Sequence, residues 1–404
     1  MIENQPRLWT KNFISVSVSN FFLFMTFYFL LVTMPVYVLN ELKGKESEAG
    51  LATTVFLLSA IIIRPIAGRW IEKFGARSIL LSALVLFSLV TLLYLYADSI
   101  LVLMVIRFIH GIGFGMATTA TGSIVAAIIP DSRRGEGMGY FVLSSNLAMV
   151  VGPFLGLTIM QQLGVSTMLF IGVISATIGL VAGLFITLPK RDMATVKNNR
   201  IKGSFRFKEL FEISAIPIAV TGAFFAIVYS SILSFVSVYA VEIGAGNVAS
   251  YFFVVYAVVL LISRPFTGKW FDLYGANSIA YPAIILFAIG MVILGIADSP
   301  TLFLVAAAFA GLGWGTLFPS FQTIAITVAH PKRRPVATAT FLSIYDIGIG
   351  LGSFLVGLAA ANLSIGTLYL FSSVYILIGL VIYHLLQGRY LKKDKNHKEQ
   401  YLDI

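Results

Sequence analysis

Of the 18 carboxylates in the chain, one stands in the middle of a long apolar run: Asp346. It follows the Arg333-Arg334 pair by about ten residues, which places it ~15 Å along a helix and near a bilayer centre. A charge there costs on the order of 3 kcal/mol, and such residues mark ion and proton pathways. Burial favours the uncharged carboxyl, so a group in this position can take up and return a proton near neutral pH. The other reading is a protonated Asp bonded to a neighbouring helix for packing. Arg107 is the one basic residue at comparable depth among 28 Lys and Arg. Arginine stays charged, so it needs a carboxylate, carbonyls or water. It can favour ionisation of a nearby acid, meet an anionic part of a solute, or simply bond helix-end carbonyls. His110 lies one turn further on the same face. It titrates in the physiological range and joins these two as a proton-relay candidate, against the alternative of a hydrogen-bonded core histidine.

These residues have to be carried by membrane helices. The chain has 404 residues, 58% apolar and 11% charged. Soluble proteins carry roughly 25% charged residues, so a soluble globule is excluded. Twelve apolar runs are long enough to cross a bilayer. They lie near 12–38, 49–68, 78–97, 99–129, 137–162, 165–188, 210–240, 247–268, 278–296, 300–329, 336–361 and 365–388. The first is too long for a signal-peptide core and reads as a retained span. With both termini in the cytoplasm, 25 of the 28 Lys and Arg fall on that side or at cytoplasmic span ends; only Lys43 and Lys45 fall outside and only Arg107 in mid-span, as the positive-inside rule requires. That distribution disposes of nucleic-acid binding.

Other chemistries are excluded by what is missing. With no Cys there is no disulfide framework, thiolate metal site or cysteine nucleophile. The four His are dispersed, and neither a metal set nor a nucleophile–base pair is visible, so no cofactor and no enzyme activity are expected. No G-x-x-x-x-G-K-[ST] loop occurs, so energy must come from a gradient or from the solute.

The chain repeats itself. Arg64-Pro65-Ile66-Ala67-Gly68-Arg69-Trp70 recurs as Arg264-Pro265-Phe266-Thr267-Gly268-Lys269-Trp270, an offset of 200 without a gap. The register holds through Ala97-Asp98-Ser99 and Ala297-Asp298-Ser299. It continues through Gly111-x-Gly113-x-Gly115 and Gly311-x-Gly313-x-Gly315, and through Arg133-Arg134 and Arg333-Arg334. The predicted fold is all-α, with twelve transmembrane helices in two pseudo-symmetric six-helix bundles. The bundles cover 1–188 and 209–404, the latter with a basic C-terminal tail, joined by a basic cytoplasmic linker at 189–208. Parallel repeats of this kind suit a central solute site opened alternately to each side. Asn146 occupies the repeat position of Asp346.

Over nearly its whole length the chain resembles the major facilitator superfamily. Gly68-x-x-x-Glu72-Lys73-x-Gly75-x-Arg77 is similar to that family's most diagnostic loop motif, with Glu72 where Asp is usual. Asp272 and Gly275 belong to a weaker second copy. The resemblance implies a cytoplasmic gate, in which an acid beside Lys73 and Arg77 makes a charge latch present in one of two states; the alternative is a tight polar turn. Leu103-x-x-x-Arg107-x-x-His110-Gly111 resembles a second motif of the family. Gly139, Ala148 and Gly152-Pro153-x-x-Gly156-Leu157 resemble the motif of the antiporter, exporting branch, with Ala148 and Leu157 replacing two glycines. Packing through small residues is the plainer reading. The resemblance places spans 1, 4, 7 and 10 around a cavity. Asn20, Asn146, Tyr229 and Gln322 are candidate polar lining groups, and Phe24, Phe27, Phe114, Phe225, Trp314 and Phe318 candidate apolar ones.

The function expected is proton antiport of a small, partly apolar drug or metabolite out of the cell. The partners are that solute, protons and the lipid bilayer, in a bacterial-type plasma membrane and with a monomer sufficient. A uniporter or importer of a sugar or other small metabolite is the alternative; a non-transporting receptor or assembly factor is a more distant one.

Overall fold

The computed structural model describes residues 7–130, 133–188, 211–330 and 333–388. The linker proposed at 189–208 and the basic tail from 389 lie outside the described residues. Among those described there are helices and turns and no strand. In the first half, α1 is Lys11–Asn40, α2 Glu46–Phe74, α3 Ala76–Leu93, α4 Ile100–Ile128 and α5 Arg134–Leu184. In the second, α6 is Ile216–Glu242, α7 Tyr251–Tyr274, α8 Ala276–Gly295, α9 Pro300–Thr327, α10 Arg334–Ala360 and α11 Ile365–Tyr383.

The ends are set by ordinary capping chemistry. Thr10 Oγ1 accepts from the Phe13 amide at 3.2 Å, and Ser364 Oγ accepts from the Thr367 amide at 3.2 Å. Glu46 and Glu48 sit in the first turn of α2 and Lys73 in its last, matching the helix dipole. α5 has 51 residues, far more than one crossing of a ~30 Å hydrocarbon core needs. It is broken at Gly164, where φ is 82° and ψ 171°, a conformation open essentially only to glycine. α5 is therefore two membrane helices, the fifth and sixth of twelve. Gly75 and Gly275 break the chain in the same way at α2–α3 and α7–α8, with φ of 86° and 83°.

Two compact units result, Met1–Gly44 with Val55–Ser204, and Lys45–Thr54 with Phe205–Ile404. The first turns of α2 thus belong to the second unit, where Thr54 Oγ1 donates to the Gly350 carbonyl at 2.5 Å. In the first unit α1 packs along α5 and α4, and α3 along α4 and α5. In the second, α6 packs along α10, α8 along α9 and α11, and α7 along α9.

The sequence repeat is also a repeat of contacts. A Cβ on Gly111 would overlap the Phe56 carbonyl of α2, and one on Gly311 the Tyr256 carbonyl of α7. Gly113 lies against the backbone of Phe87 and Gly313 against that of Phe287. Gly115 meets Ala60 and Ile63, and Gly315 meets Leu260. The ends of α1 and α6 follow suit, with Tyr37 and Tyr239 hydroxyls donating to the Ala97 and Ala297 carbonyls at 2.6 and 3.2 Å. Glycine at every second position of α4 and α9 therefore serves close approach of backbones to two neighbours at once.

Candidate functional site

That close approach assembles a polar cluster inside the first unit. Arg107 and His110 on α4 are wholly buried, as are Phe56 of α2 and Phe87 and Thr91 of α3. Tyr94 opens the 3-10 turn that ends α3 and is buried with them. The Arg107 guanidinium carbon lies 4.7 Å from the centre of the Phe56 ring, a cation–π contact. Its Nη1 donates to the Tyr94 hydroxyl over a long 3.5 Å. Tyr94 Oη is 3.1 Å from His110 Nδ1, and His110 Nε2 is 3.0 Å from Thr91 Oγ1. Both imidazole nitrogens therefore have protein partners. The ring stacks on Phe87 with centroids 4.1 Å apart. Tyr94, Thr91 and Phe56 are members of this site that sequence reasoning missed. The available signal was the spacing of Phe87, Thr91 and Tyr94, which puts two polar groups on one face at the end of the third span.

A second cluster joins α1, α4 and α5. The buried Asn20 amide donates to Ser144 and Ser145 hydroxyls at 3.0 and 2.8 Å, and its oxygen accepts from Thr121 at 3.4 Å. Both amide hydrogens are thus in use within the protein. Phe24, Phe27 and Phe114 form one aromatic group with Phe56; Phe27 stacks on Phe114 at 4.7 Å and on Phe56 at 5.3 Å. Asn146 is half-buried on α5.

In the second unit the corresponding positions, Asp346 apart, are aromatic or apolar. Trp314 stacks on Tyr229 at 5.1 Å and on Tyr345 at 6.0 Å, and Phe318 lies 4.8 Å from Tyr345. Asp346, next to Tyr345, is half-buried on α10, and Gln322 is half-buried on α9. Phe225 is wholly buried and faces Phe321 and Gly379, inside the bundle. The counterparts of Thr91, Tyr94, Arg107 and His110 are Met291, Leu294, Ala307 and Ala310, all buried.

The loop motifs are placed as follows. Glu72, Lys73 and Arg77 are exposed at the α2–α3 turn. Arg77 Nε donates to the Ile186 carbonyl at 2.6 Å, and Lys73 Nζ lies 5.0 Å from the Phe74 ring centre. At the repeat position Asn277 Nδ2 donates to the Gly388 carbonyl at 2.9 Å, and its Oδ1 accepts from Tyr383 at 2.8 Å. The Asp272 side chain is outside the described residues. Gly68 and Gly139 face open space, whereas Gly152 and Gly156, flanking the buried Pro153, lie against Met25 and Phe29 of α1.

One ion pair fastens the start of α6. Glu212 Oε2 accepts from Arg333 Nε, and Glu212 Oε1 accepts from Ser214 at 2.7 Å. Arg333 also donates to the Phe211 carbonyl at 3.0 Å. The Arg333 hydrogen bond, followed by that of Ser214, holds the Glu212 carboxyl below the usual carboxylate range. Among the described residues no three His, Cys, Asp or Glu side chains gather to hold a metal.

The family model for the Major Facilitator Superfamily matches residues 16–279 and 218–401. An MFS-type transporter of Methanocaldococcus jannaschii is 23% identical over 92% of this chain and 97% of its own. The staphylopine export protein of Staphylococcus aureus is 21% identical over 88% of this chain and 89% of its own. The quinolone resistance protein NorA of the same species is 30% identical over 34% of this chain and 35% of its own. Among solved structures, a bacterial homolog of the human lysosomal transporter Spinster superposes with a TM-score of 0.75 at 16% identity, covering 95% of this chain and 97% of that one. The family-model match over most of the chain, with helices in two repeated halves among the described residues, identifies the chain as a member of the Major Facilitator Superfamily, a membrane transporter and not an enzyme.

Proposed function

We propose that the protein exports a small, partly apolar compound from the cytoplasm in exchange for protons. The observation that carries this reading is Asp346, an acid near the middle of the apolar helix α10, next in sequence to the Tyr345 ring that stacks on Trp314. A carboxyl there can shuttle a proton, and an aromatic surface with few polar groups suits a solute with an apolar body. The names of two relatives, one for export and one for drug resistance, favour the outward direction.

In the proposed cycle both termini lie in the cytoplasm of a bacterial-type cell. Asp346 gives its proton to the cytoplasm as the solute is loaded, the site turns outward, the solute leaves and Asp346 is reprotonated. Arg107 bears on the charge balance of this exchange, and the turns around Glu72 and Asp272 change their contacts as the site turns. A monomer suffices.

The test uses inside-out vesicles with an acidic lumen, to which lipophilic cations, antibiotics, sugars and amino acids are added in turn. Solute-dependent loss of the pH gradient in wild type, abolished in Asp346→Asn with solute exchange spared, is the expected result. Labelled solute equilibrating without any proton movement would replace this reading with a uniporter of a sugar or other small metabolite.

A further inference from the structure

We infer that Tyr94 and His110 are positioning residues for Arg107, and that His110 is held in a single tautomer instead of carrying the transported proton. The inference rests on the coupling role proposed for Arg107. Hydrogen by hydrogen, the chain runs one way. Thr91 uses its hydroxyl hydrogen on the Phe87 carbonyl, 2.7 Å away, so towards His110 it can only accept. Nε2, at 3.0 Å, then carries the imidazole proton. Nδ1 is bare and takes the Tyr94 hydroxyl hydrogen at 3.1 Å. The Tyr94 oxygen is left as an acceptor and faces Arg107 Nη1 at 3.5 Å. Linked in this sense, each bond polarises the next.

The surroundings leave no second arrangement. The imidazole stacks on Phe87 and meets Phe56 edge-on with centroids 5.4 Å apart, so the ring is clamped. The titratable groups facing it are Tyr94, from the turn after α3, and Arg107, from its own helix. α2 presents Phe56, and α3 presents Phe87 and Thr91. A second proton on Nδ1 would set a donor against the Tyr94 hydroxyl hydrogen, beside a fixed positive charge.

The second half of the chain is an internal control. It packs α7, α8 and α9 through the same three glycines, with Tyr256 and Phe287 where Phe56 and Phe87 stand. Yet Met291, Leu294, Ala307 and Ala310 leave it with no polar group at the four matching positions. The packing does not require the network. Its distinguishing effect is to hold one buried guanidinium against Phe56 and Tyr94.

The test is nitrogen NMR of the full chain in lipid nanodiscs, with His330, His384 and His397 replaced by Gln so that His110 is the sole imidazole. The expected spectrum shows a protonated Nε2 and a bare Nδ1, unchanged from about pH 5 to 8. Tyr94→Phe should shift the Nδ1 resonance towards that of a nitrogen without a donor. In proteoliposomes, with tetraphenylphosphonium as the probe, Tyr94→Phe should lower the maximal rate roughly tenfold, the worth of a hydrogen bond to a charged group. Half-saturation should not move, and the variant should have no added effect once Arg107 is Lys. Titration of His110 in that range, a protonated Nδ1, or an Nδ1 resonance indifferent to Tyr94→Phe would overturn the inference. The spectra need no transport. If they hold while Asp346→Asn leaves proton movement intact, the coupling reading fails and the positioning chain stands.

Discussion

Arg77 and Asn277 hold the same position in the two halves, and each donates to a backbone carbonyl where the last helix of its own half ends. Arg77 reaches Ile186 at 2.6 Å and Asn277 reaches Gly388 at 2.9 Å. One charged and one neutral side chain do the same work, so the charge is not what this contact needs. Asn277 also accepts from Tyr383, so its two functional atoms are both engaged. Asn277→Ala is expected to cost about 1–3 kcal/mol and the more exposed Arg77→Ala about 1 kcal/mol. Thermal unfolding of the purified protein in detergent checks the order; equal or reversed losses would refute it.

The repeated glycines separate into two kinds. Alanine at Gly111 or Gly311 would overlap a neighbouring carbonyl, and overpacking of this sort costs about 1–3 kcal/mol or more. Gly68 and Gly268 face open space, where alanine is expected to be neutral or stabilising by up to ~1 kcal/mol through helix propensity. Yield of folded protein across these four substitutions is the measurement. A transport defect in a well-folded Gly68→Ala protein would show that the gate motif is closely packed in another state of the cycle.

The Glu212–Arg333 pair has a pH signature. The folded carboxyl is held below its ordinary value of 4.5, so the pair's contribution is present in full above that value. It is lost as pH falls through the lowered folded value. Arg333→Gln should therefore lower the unfolding temperature at pH 7, and the gap from wild type should narrow on acidification below about pH 4. A gap independent of pH would assign the effect to the bond between Arg333 and the Phe211 carbonyl.

Asn20 is expected to act on stability before it acts on solute. Its amide is committed to Ser144, Ser145 and Thr121, so Asn20→Ala removes three side-chain hydrogen bonds between helices, a loss of about 1–3 kcal/mol, while Ser144 and Thr121 keep their bonds to the Phe141 and Thr118 carbonyls. Half-saturation for a transported solute should shift little. A large rise in half-saturation with unchanged unfolding temperature would return Asn20 to the lining of the solute path.

The twelve crossings and the repeat were legible in the sequence because both depend on properties that run along the chain: apolar length, and glycine at fixed intervals. The turn between the fifth and sixth crossings was legible only as a gap between two runs, since a single Gly164 makes it. The assignment of the first turns of α2 to the second unit was not legible, because α2 continues through the boundary as one helix. Tyr94 and Thr91 went unread for another reason. A tyrosine near the end of a span ordinarily marks the membrane interface, and only the approach of α4 through Gly111 and Gly113 turns it into a partner for His110. Polar networks are made across helices, and linear spacing carries little of that.

The glycines of α4 and α9 also have a mechanical meaning. With bare backbone set against the neighbouring helix at Gly111 and Gly113, α4 is keyed to α2 and α3, and Gly311 and Gly313 key α9 to α7 and α8 in the same manner. A keyed joint resists sliding, because any axial slip drives main chain into main chain. Within each trio, axial register is therefore set by main chain against main chain, not by the fit of side chains.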